Sequence, residues 1–332
     1  MYRKTPLFLL ISLSMFALPV FSDGLSERDD VRQFIQEMVD EHDFEREALT
    51  HHFASAKIAN SILKAISRPA EAKPWYKYRK IFLTSDRIKQ GAKFLEENYE
   101  TLKRAESIYG VPVEIIVAII GVETRYGRHA GKYKVLDSLS TLAFEYPKRS
   151  KFFRSELKEF FLLAREQGLN PLDVKGSYAG AMGIPQFISS SYRNFAVDFD
   201  DDGKIDIWDN PVDAIGSVGN YFKKHGWQAG EEVAVKARVE GDAYLAVLSK
   251  GLEPHINTSE LYEYGISSDS MIVEDSEIKF LEYELDKGSE FWIGYKNFYV
   301  ITRYNHSSLY AMAVYQLAGE IADKYKEAQA RD

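Results

Sequence analysis

The chain has 332 residues, 28% of them charged and 45% hydrophobic, which is enough apolar material for a sizeable core divided over more than one lobe. A net charge of −8 argues against a general nucleic-acid binder, which needs a basic face. With no cysteine, the chain excludes disulfides, thiolate catalysis, cysteine-ligated zinc and lipidation on cysteine.

In chain order, Met1 to Ser22 reads as a secretory signal. Arg3 and Lys4 form a basic start, Leu7 to Phe21 an apolar stretch, and Val20-Phe21-Ser22 a cleavage site with a small residue last. This predicts an exported, periplasmic protein that is soluble after processing; an uncleaved anchor is the alternative, although the stretch is short for a span. Ser26 to Ser67 has helical spacing, with Val31, Phe34, Ile35 and Met38 on one stripe and Phe53, Ile58, Ile62 and Leu63 on a second. Pro69 to Tyr78, with two prolines, a tryptophan and two tyrosines, reads as a loop with exposed aromatics. Ile81 to Tyr109 returns to helix.

Pro112 suits the first turn of the next helix. Ile116, Ile119, Ile120 and Glu123 fall on one face of it, which puts a carboxylate among apolar neighbours near the helix C-terminus. Desolvation and the negative end of the helix dipole both disfavour the charged form, as a general acid near neutrality requires. The alternative is a structural ion pair of Glu123 with Arg125 or another base. No second acid has so apolar a setting, since Asp137, Glu145 and Asp173 sit among polar or turn residues.

Ser138 to Gln167 is helical around Pro147. Gly176 to Phe187 holds three glycines in a dozen residues, a backbone that allows close approach of a ligand, without the lysine of a phosphate loop. Asp198, Asp200, Asp202 and Gly203 match positions 1, 3, 5 and 6 of an EF-hand calcium loop, and Lys204 needs to give only its carbonyl. Asp209 stands where the bidentate glutamate is usual, and Asp213 is available to close a longer loop. The alternative is a solvated acidic turn. Helix resumes at Pro211, with Ile215, Val218, Gly219 and Phe222 on one face. From Glu231 to Val300 the period changes to alternation: Val235/Ala237/Val239, Leu281/Tyr283/Leu285, Phe291 to Ile293 and Phe298 to Ile301 read as strands. Thr302 to Ser308 reads as a polar loop and Leu309 to Tyr325 as a last helix. Aromatics are 14% of the chain, mostly for the core, with some suited to stacking on sugars.

Glu123-Thr124-Arg125-Tyr126-Gly127, the glycine-rich Gly180 to Phe187, the aspartate loop with Trp208, and Tyr304-Asn305 before the last helix together resemble the membrane-bound lytic murein transglycosylase B family over most of the mature chain. The resemblance implies a mainly α (α+β) fold: a lysozyme-like helical core, a helical N-terminal lobe and a small inserted β-rich lobe. The boundaries expected are a signal at 1–22, an N-terminal lobe at 23–110, a core at 111–230 with the metal loop at 198–213, a β lobe at 231–300, and a returning helix at 301–332. It implies a lyase that cleaves the bond between N-acetylmuramic acid and N-acetylglucosamine in peptidoglycan without water, leaving a 1,6-anhydromuramoyl end. The acid/base glutamate then falls on Glu123. Substrate contacts fall on Tyr78, Ser177, Met182, Gln186, Tyr221, Tyr304, Asn305 and Tyr310. A structural calcium ion falls on Asp198, Asp200, Asp202, the Lys204 carbonyl and Asp213, with Asp209 as the alternative; no organic cofactor is implied. Glycan strands are the expected partner, and other wall-remodelling proteins are candidate partners. The family's founding members are lipoproteins, and this chain has no lipobox cysteine, so a lipid anchor is not expected. A hydrolytic muramidase on the same fold and a non-catalytic peptidoglycan binder are the rival readings.

Overall fold

The computed structural model describes residues 24–67, 73–248 and 251–330. The proposed signal, together with Pro69 to Ala72, lies outside the described residues. The chain separates into two compact units, one up to Ala54 and one from Ser55 onward.

In the first unit, α1 (Asp29–His42) and α2 (Arg46–Ser55) account for the helical spacing. Val31, Phe34, Ile35 and Met38 are all buried, and the Phe34 and Phe53 rings meet edge to face at 5.7 Å. Asp43 at φ 56 stops α1 with a left-handed residue.

The second unit begins with α3 (Asn60–Ile66), where Ile62 is buried but Ile58, just before it, is 38% exposed and leaves the expected stripe. Next is α4 (Trp75–Phe82), which corrects the expected loop. Pro74 precedes the first turn, where a missing N–H costs nothing, so it starts a helix instead of breaking one. The aromatics of this segment are likewise not all exposed. Trp75 and Tyr78 are 1% exposed, and Trp75 Nε1 donates to Glu290 Oε1 at 2.6 Å.

The long helical reading of Ile81 to Tyr109 resolves into α5 (Ser85–Glu97), capped by Thr84, and α6 (Tyr99–Tyr109). Gly110, at φ 74, ends α6 and lets the chain turn into α7 (Val113–Thr124). Pro112 is the cap residue, one position earlier than expected. Residues Ile115 to Val122 are buried all round, not on a single face, because α5, α6, α11 and α13 pack about α7. Among the described residues no single helix is long and apolar enough to cross a membrane.

Two-residue strands β1 (Tyr133–Lys134) and β2 (Lys175–Gly176) pair antiparallel around α8 (Val135–Glu145) and α9 (Ser150–Glu166). Single bridges from Gly176 to Met182 and from Met182 to Phe187 extend the pairing into the glycine-rich loop. After α10 (Ser189–Phe195) and the aspartate loop, α11 (Pro211–Lys224) begins where Pro211 placed it.

The alternating segment forms an antiparallel five-stranded sheet in the order β4-β6-β7-β3-β5, from β3 (Ala234–Val239), β4 (Ile256–Asn257), β5 (Ile266–Ser267), β6 (Glu277–Glu284) and β7 (Ser289–Gly294). Phe298 to Ile301 is not a strand. It lies in α12 (Lys296–Tyr304), which also takes in the start of the expected polar loop. Tertiary contacts override the β-branched and aromatic composition here. The buried Asn297 amide bonds the backbone of Gln228 and Glu231, and Phe298, Ile301 and Thr302 bury at helical spacing. The last helix, α13 (Ser308–Gln329), is longer than expected and is capped by Ser307 Oγ.

Close packing against α7 gives a direct test. A Cβ on Gly121 would lie 2.6 Å from the Tyr126 hydroxyl, and that hydroxyl is pinned by donating to Arg87 C=O at 2.9 Å. Gly121→Ala should therefore destabilise the protein by about 1–3 kcal/mol, the usual cost of overpacking, in urea unfolding. Unchanged stability would mean that Tyr126 is free to move.

Candidate active site

Glu123 is the one charged side chain in the last two turns of α7, and it is half-buried. Arg125 and Tyr126 end the helix by taking left-handed backbone, φ 54 and 62, with their N–H groups closing on Gly121 and Ile120. Two successive non-glycine residues in that region cost about 1–3 kcal/mol each, so surrounding structure must hold them. Tyr126 does so by filling the space left by Gly91 and Gly121, where an added Cβ would meet its hydroxyl at 2.5 and 2.6 Å. Arg125 Nε donates to Gln90 Oε1 at 2.9 Å, so the guanidinium that the sequence offered as an ion-pair partner for Glu123 is turned to α5.

The carboxylate instead receives a neutral donor. Tyr310, in the first turn of α13, donates its hydroxyl to Glu123 Oε1 at 2.5 Å. Burial, reinforced by the Glu123 charge and the neighbouring Tyr304, pushes the Tyr310 hydroxyl well above the ordinary phenol range. Burial, the Glu123 charge and Tyr221 do the same for Tyr304. Both therefore remain proton donors at any working pH. Tyr304 donates to Pro185 C=O at 2.6 Å and its ring meets Tyr221 at 4.7 Å, while Tyr221 donates to Arg303 C=O at 2.6 Å.

Of the residues expected to touch substrate, Tyr78, Met182, Tyr221 and Tyr310 are buried, at 1%, 0%, 6% and 2% exposure. Tyr78 neighbours Tyr310 and Tyr221 neighbours Tyr304, so the three buried tyrosines make a floor beside Glu123. Ser177, Gln186 and Tyr304 are partly exposed and Asn305 is exposed, at the C-terminal end of α12. Ser177 Oγ accepts from the Ala179 and Ala181 N–H groups at 3.3 and 3.1 Å, which shapes the glycine-rich turn and leaves its own proton to donate. Gln186, at φ 53, donates from Nε2 to Ala130 and Gly183 C=O, both at 3.0 Å, so its carbonyl oxygen is the acceptor left over. Phe187, not anticipated, lies under Tyr304 at 6.0 Å. Thr124 was also passed over: it is 1% exposed and its hydroxyl donates to Ile184 C=O at 2.9 Å. A threonine next to the candidate glutamate at a helix end was the one signal available for it.

The aspartate loop brings carboxylate oxygens of Asp198, Asp200 and Asp202 within 4.8 Å of one another. Asp198 accepts from the Asp202 and Gly203 N–H groups, and Asp201 and Gly203 take the positive φ that the sharp turn needs. Three converging carboxylates repel unless a cation joins them, and the hard oxygen set fits calcium. Asp209 is exposed, and its N–H donates to Asp206 Oδ1. Asp213 is fully buried in the first turn of α11, where its two oxygens accept from the Phe199 and Asp206 N–H groups, each at 2.7 Å. Burial raises its carboxyl above the usual range, with the Asp200 and Asp198 charges adding to the shift. The Lys204 carbonyl stands beyond Gly203 in the same turn. A groove of about 900 Å³ runs between this loop and the turn after Glu123, lined by Gly127, Ala130, Gly131, Lys175 and Trp208 among others.

The family model described as the transglycosylase SLT domain matches residues 26–319. The chain is 44% identical over 303 residues to membrane-bound lytic murein transglycosylase B of Escherichia coli K12, an alignment covering 88% of this chain and 82% of that protein. Among solved structures, soluble lytic transglycosylase SltB1 of Pseudomonas aeruginosa is 51% identical with a TM-score of 0.85, covering 89% of this chain and 99% of that one. The Escherichia coli lytic transglycosylase Slt35 in complex with calcium is 44% identical with a TM-score of 0.83, covering 90% and 94%.

The tyrosines predict a pH dependence. The hydroxyls of Tyr126, Tyr221, Tyr304 and Tyr310 are all raised, in each case chiefly by burial. The native state thus holds these protons to higher pH than the unfolded chain does. Their stabilisation is complete below about pH 10, the value of an unfolded tyrosine, and is lost as pH rises toward the folded values. Urea unfolding should show that loss setting in only above about pH 10, with unfolding adding tyrosinate absorbance beyond that of exposed tyrosines such as Tyr262. Folded protein whose tyrosinate absorbance already equals that of the unfolded chain at the same pH would show that these hydroxyls are solvated.

Proposed function

The chain belongs to the transglycosylase SLT domain family, and from that premise we propose that Glu123 alone acts as acid and then base at its active site. The enzyme is a lytic transglycosylase of peptidoglycan. The observation that carries the mechanism is the half-buried Glu123 carboxylate, paired with a neutral tyrosine donor and set above a floor of tyrosines.

In this mechanism Glu123 begins protonated and gives its proton to the oxygen of the bond between N-acetylmuramic acid and N-acetylglucosamine. As the C1–O bond breaks, the muramoyl 2-acetamido oxygen bonds to C1, the substrate-assisted route in place of a second carboxylate. Glu123, now ionised, takes the proton of the C6 hydroxyl. O6 then bonds to C1 and displaces the acetamido oxygen, closing the 1,6-anhydro ring without consuming water. Ser177, through its remaining proton, and Gln186, through its free carbonyl oxygen, orient the acetamido group. The Tyr304 ring stacks on a sugar and Asn305 bonds it, while Tyr78, Met182, Tyr221 and Tyr310 hold the floor in place. The acetylated glycan strand is the substrate and partner. Export to the periplasm follows from the basic and apolar start of the chain.

Calcium fits the loop as a structural ion, held by Asp198, Asp200, Asp202, the Lys204 carbonyl and Asp213. Bound there, it neutralises clustered charge; the chemistry at the sugar belongs to Glu123.

Two measurements test this reading. Glu123→Gln keeps an oxygen to accept from Tyr310 but has no proton to donate, so turnover of purified sacculi should fall by roughly 10²–10⁴-fold. Wild-type products should carry muramoyl ends one water lighter than reducing ends in mass spectrometry. Full yields of anhydro product from the variant would remove Glu123 from its role, and reducing ends from the wild type would mean hydrolysis. Separately, calcium that binds only the folded state should raise the melting temperature in proportion to the logarithm of its concentration above Kd. Identical melting in calcium and in chelator would exclude the metal site.

A further inference from the structure

The aspartate loop and the last turn of the helix that carries Glu123 both hydrogen-bond to one residue, Ile184. The Ile184 N–H donates to Ile207 C=O at 2.8 Å, inside the aspartate loop. The Ile184 C=O accepts the Thr124 hydroxyl at 2.9 Å, one residue beyond Glu123. Thr124 is buried, and its oxygen also accepts from the Gly127 N–H at 3.0 Å, which fixes the turn that ends the helix. The contact between the two loops is close. Gly183 has φ 68, and a Cβ there would sit 2.5 Å from the Ile207 oxygen. On the metal side, Ile207 follows Asp206, whose N–H is held by the buried Asp213 carboxylate at 2.7 Å.

We infer that Thr124 is a positioning residue that transmits occupancy of the aspartate loop to Glu123 through the Ile184 peptide. The inference rests on the calcium reading above and goes beyond it, because it makes the ion part of the catalytic geometry as well as of stability. Without a cation, the carboxylates of Asp198, Asp200 and Asp202 repel and the loop relaxes outward, carrying Asp206 and Ile207 with it. Every link from Ile207 to Thr124 is a hydrogen bond between groups packed away from water, so a shift at one end is passed along and not absorbed by solvent. At the other end lies a carboxylate for which a misplacement of about 1 Å costs on the order of 10²-fold in rate. Coupling of this kind is reciprocal, so loosening Thr124 must also weaken calcium binding.

The test uses the full-length protein and its Thr124→Val and Thr124→Ser variants, with kcat and KM on peptidoglycan in saturating calcium and in chelator. Calcium affinity is measured by calorimetry, and all measurements are made at a temperature where each variant is folded by circular dichroism. Removing calcium from the wild type should lower kcat about tenfold with KM nearly unchanged. Thr124→Val in calcium should show a similar loss, and chelator should then lower it by no more than about twofold, since the link is already cut. Its calcium Kd should rise about fivefold or more. Thr124→Ser, which keeps the hydroxyl, should restore both the affinity and the response to chelator. Losses from chelator and from Thr124→Val that multiply in full would overturn the relay, as would calcium that binds and stabilises but leaves wild-type kcat untouched. Absence of any binding heat would instead remove the metal reading, and the relay with it. If Thr124→Val does not fold, Gly183→Ala presses on the same contact from the Ile207 side. It should lower kcat and weaken calcium together, and a change in only one of them would overturn the proposal.

Discussion

The geometry around Glu123 is referenced to the short backbone run Gly183 to Gln186. Thr124 and Ile207 hold the Ile184 peptide from its two sides, Tyr304 holds Pro185 C=O, and Gln186 bonds back to Gly183 and across to Ala130. Helix α7, helix α12, the turn after Glu123 and the aspartate loop therefore share one set of fixed points. Backbone groups suit this task because every residue but proline offers one donor and one acceptor, and leaving either one buried and unpaired costs about 1–3 kcal/mol. Any element that moves must break such a bond.

That arrangement explains how a helix as apolar as α7 can carry a charge at all. Ile115 to Val122 are buried on every side, so nothing along the helix can solvate an ionised group. Its two end turns meet solvent, the first at Val113 and Glu114 and the last at Glu123. Arg125 and Tyr126 create the opening at Glu123 by leaving the helix in left-handed conformation, and the absent side chains at Gly91 and Gly121 admit the Tyr126 ring that stabilises it. The two glycines act as space for a tyrosine, and that tyrosine holds the turn after the carboxylate.

Much of this was legible in the sequence where one residue type carries a local physical meaning. The carboxylate at the end of an apolar run, the aspartate spacing with its glycine, and Pro211 at the start of α11 could all be read directly, because each depends on its immediate neighbours. Illegible features were decided at a distance. Pro74 looked like a breaker because its helix is stabilised by burial of Trp75 and Tyr78 and by Glu290, a residue over two hundred positions away. Phe298 to Ile301 is composed like a strand, yet Asn297 is tied to Gln228 and Glu231, and the core takes Phe298, Ile301 and Thr302 at helical spacing. Thr124 could not be singled out, since its meaning lies in Ile184, sixty residues on. The expected substrate contacts mixed two kinds of residue for the same reason: a tyrosine under the site and a tyrosine at its surface look alike in a sequence.

The tyrosine shell has a chemical logic that an ionic shell would lack. In the proposed mechanism Glu123 gives up a proton and then takes one back, so it cannot be held in a single charge state. An arginine or lysine in contact with Glu123 would favour the carboxylate and oppose its protonation, while a second carboxylate would favour the acid and oppose its ionisation. A phenol raised well above its ordinary range is neutral in both steps. It donates to the carboxylate when that is ionised and can accept from the carboxylic acid when it is not. Tyr310 fills that role at 2.5 Å, with Tyr304 also beside the carboxylate and Tyr78 beside Tyr310. Such a shell orients Glu123 without choosing its protonation state, so the substrate's own oxygens decide when the proton moves. A single carboxylate can then serve both halves of the proposed reaction, provided that its position is maintained by the backbone bonds around Ile184.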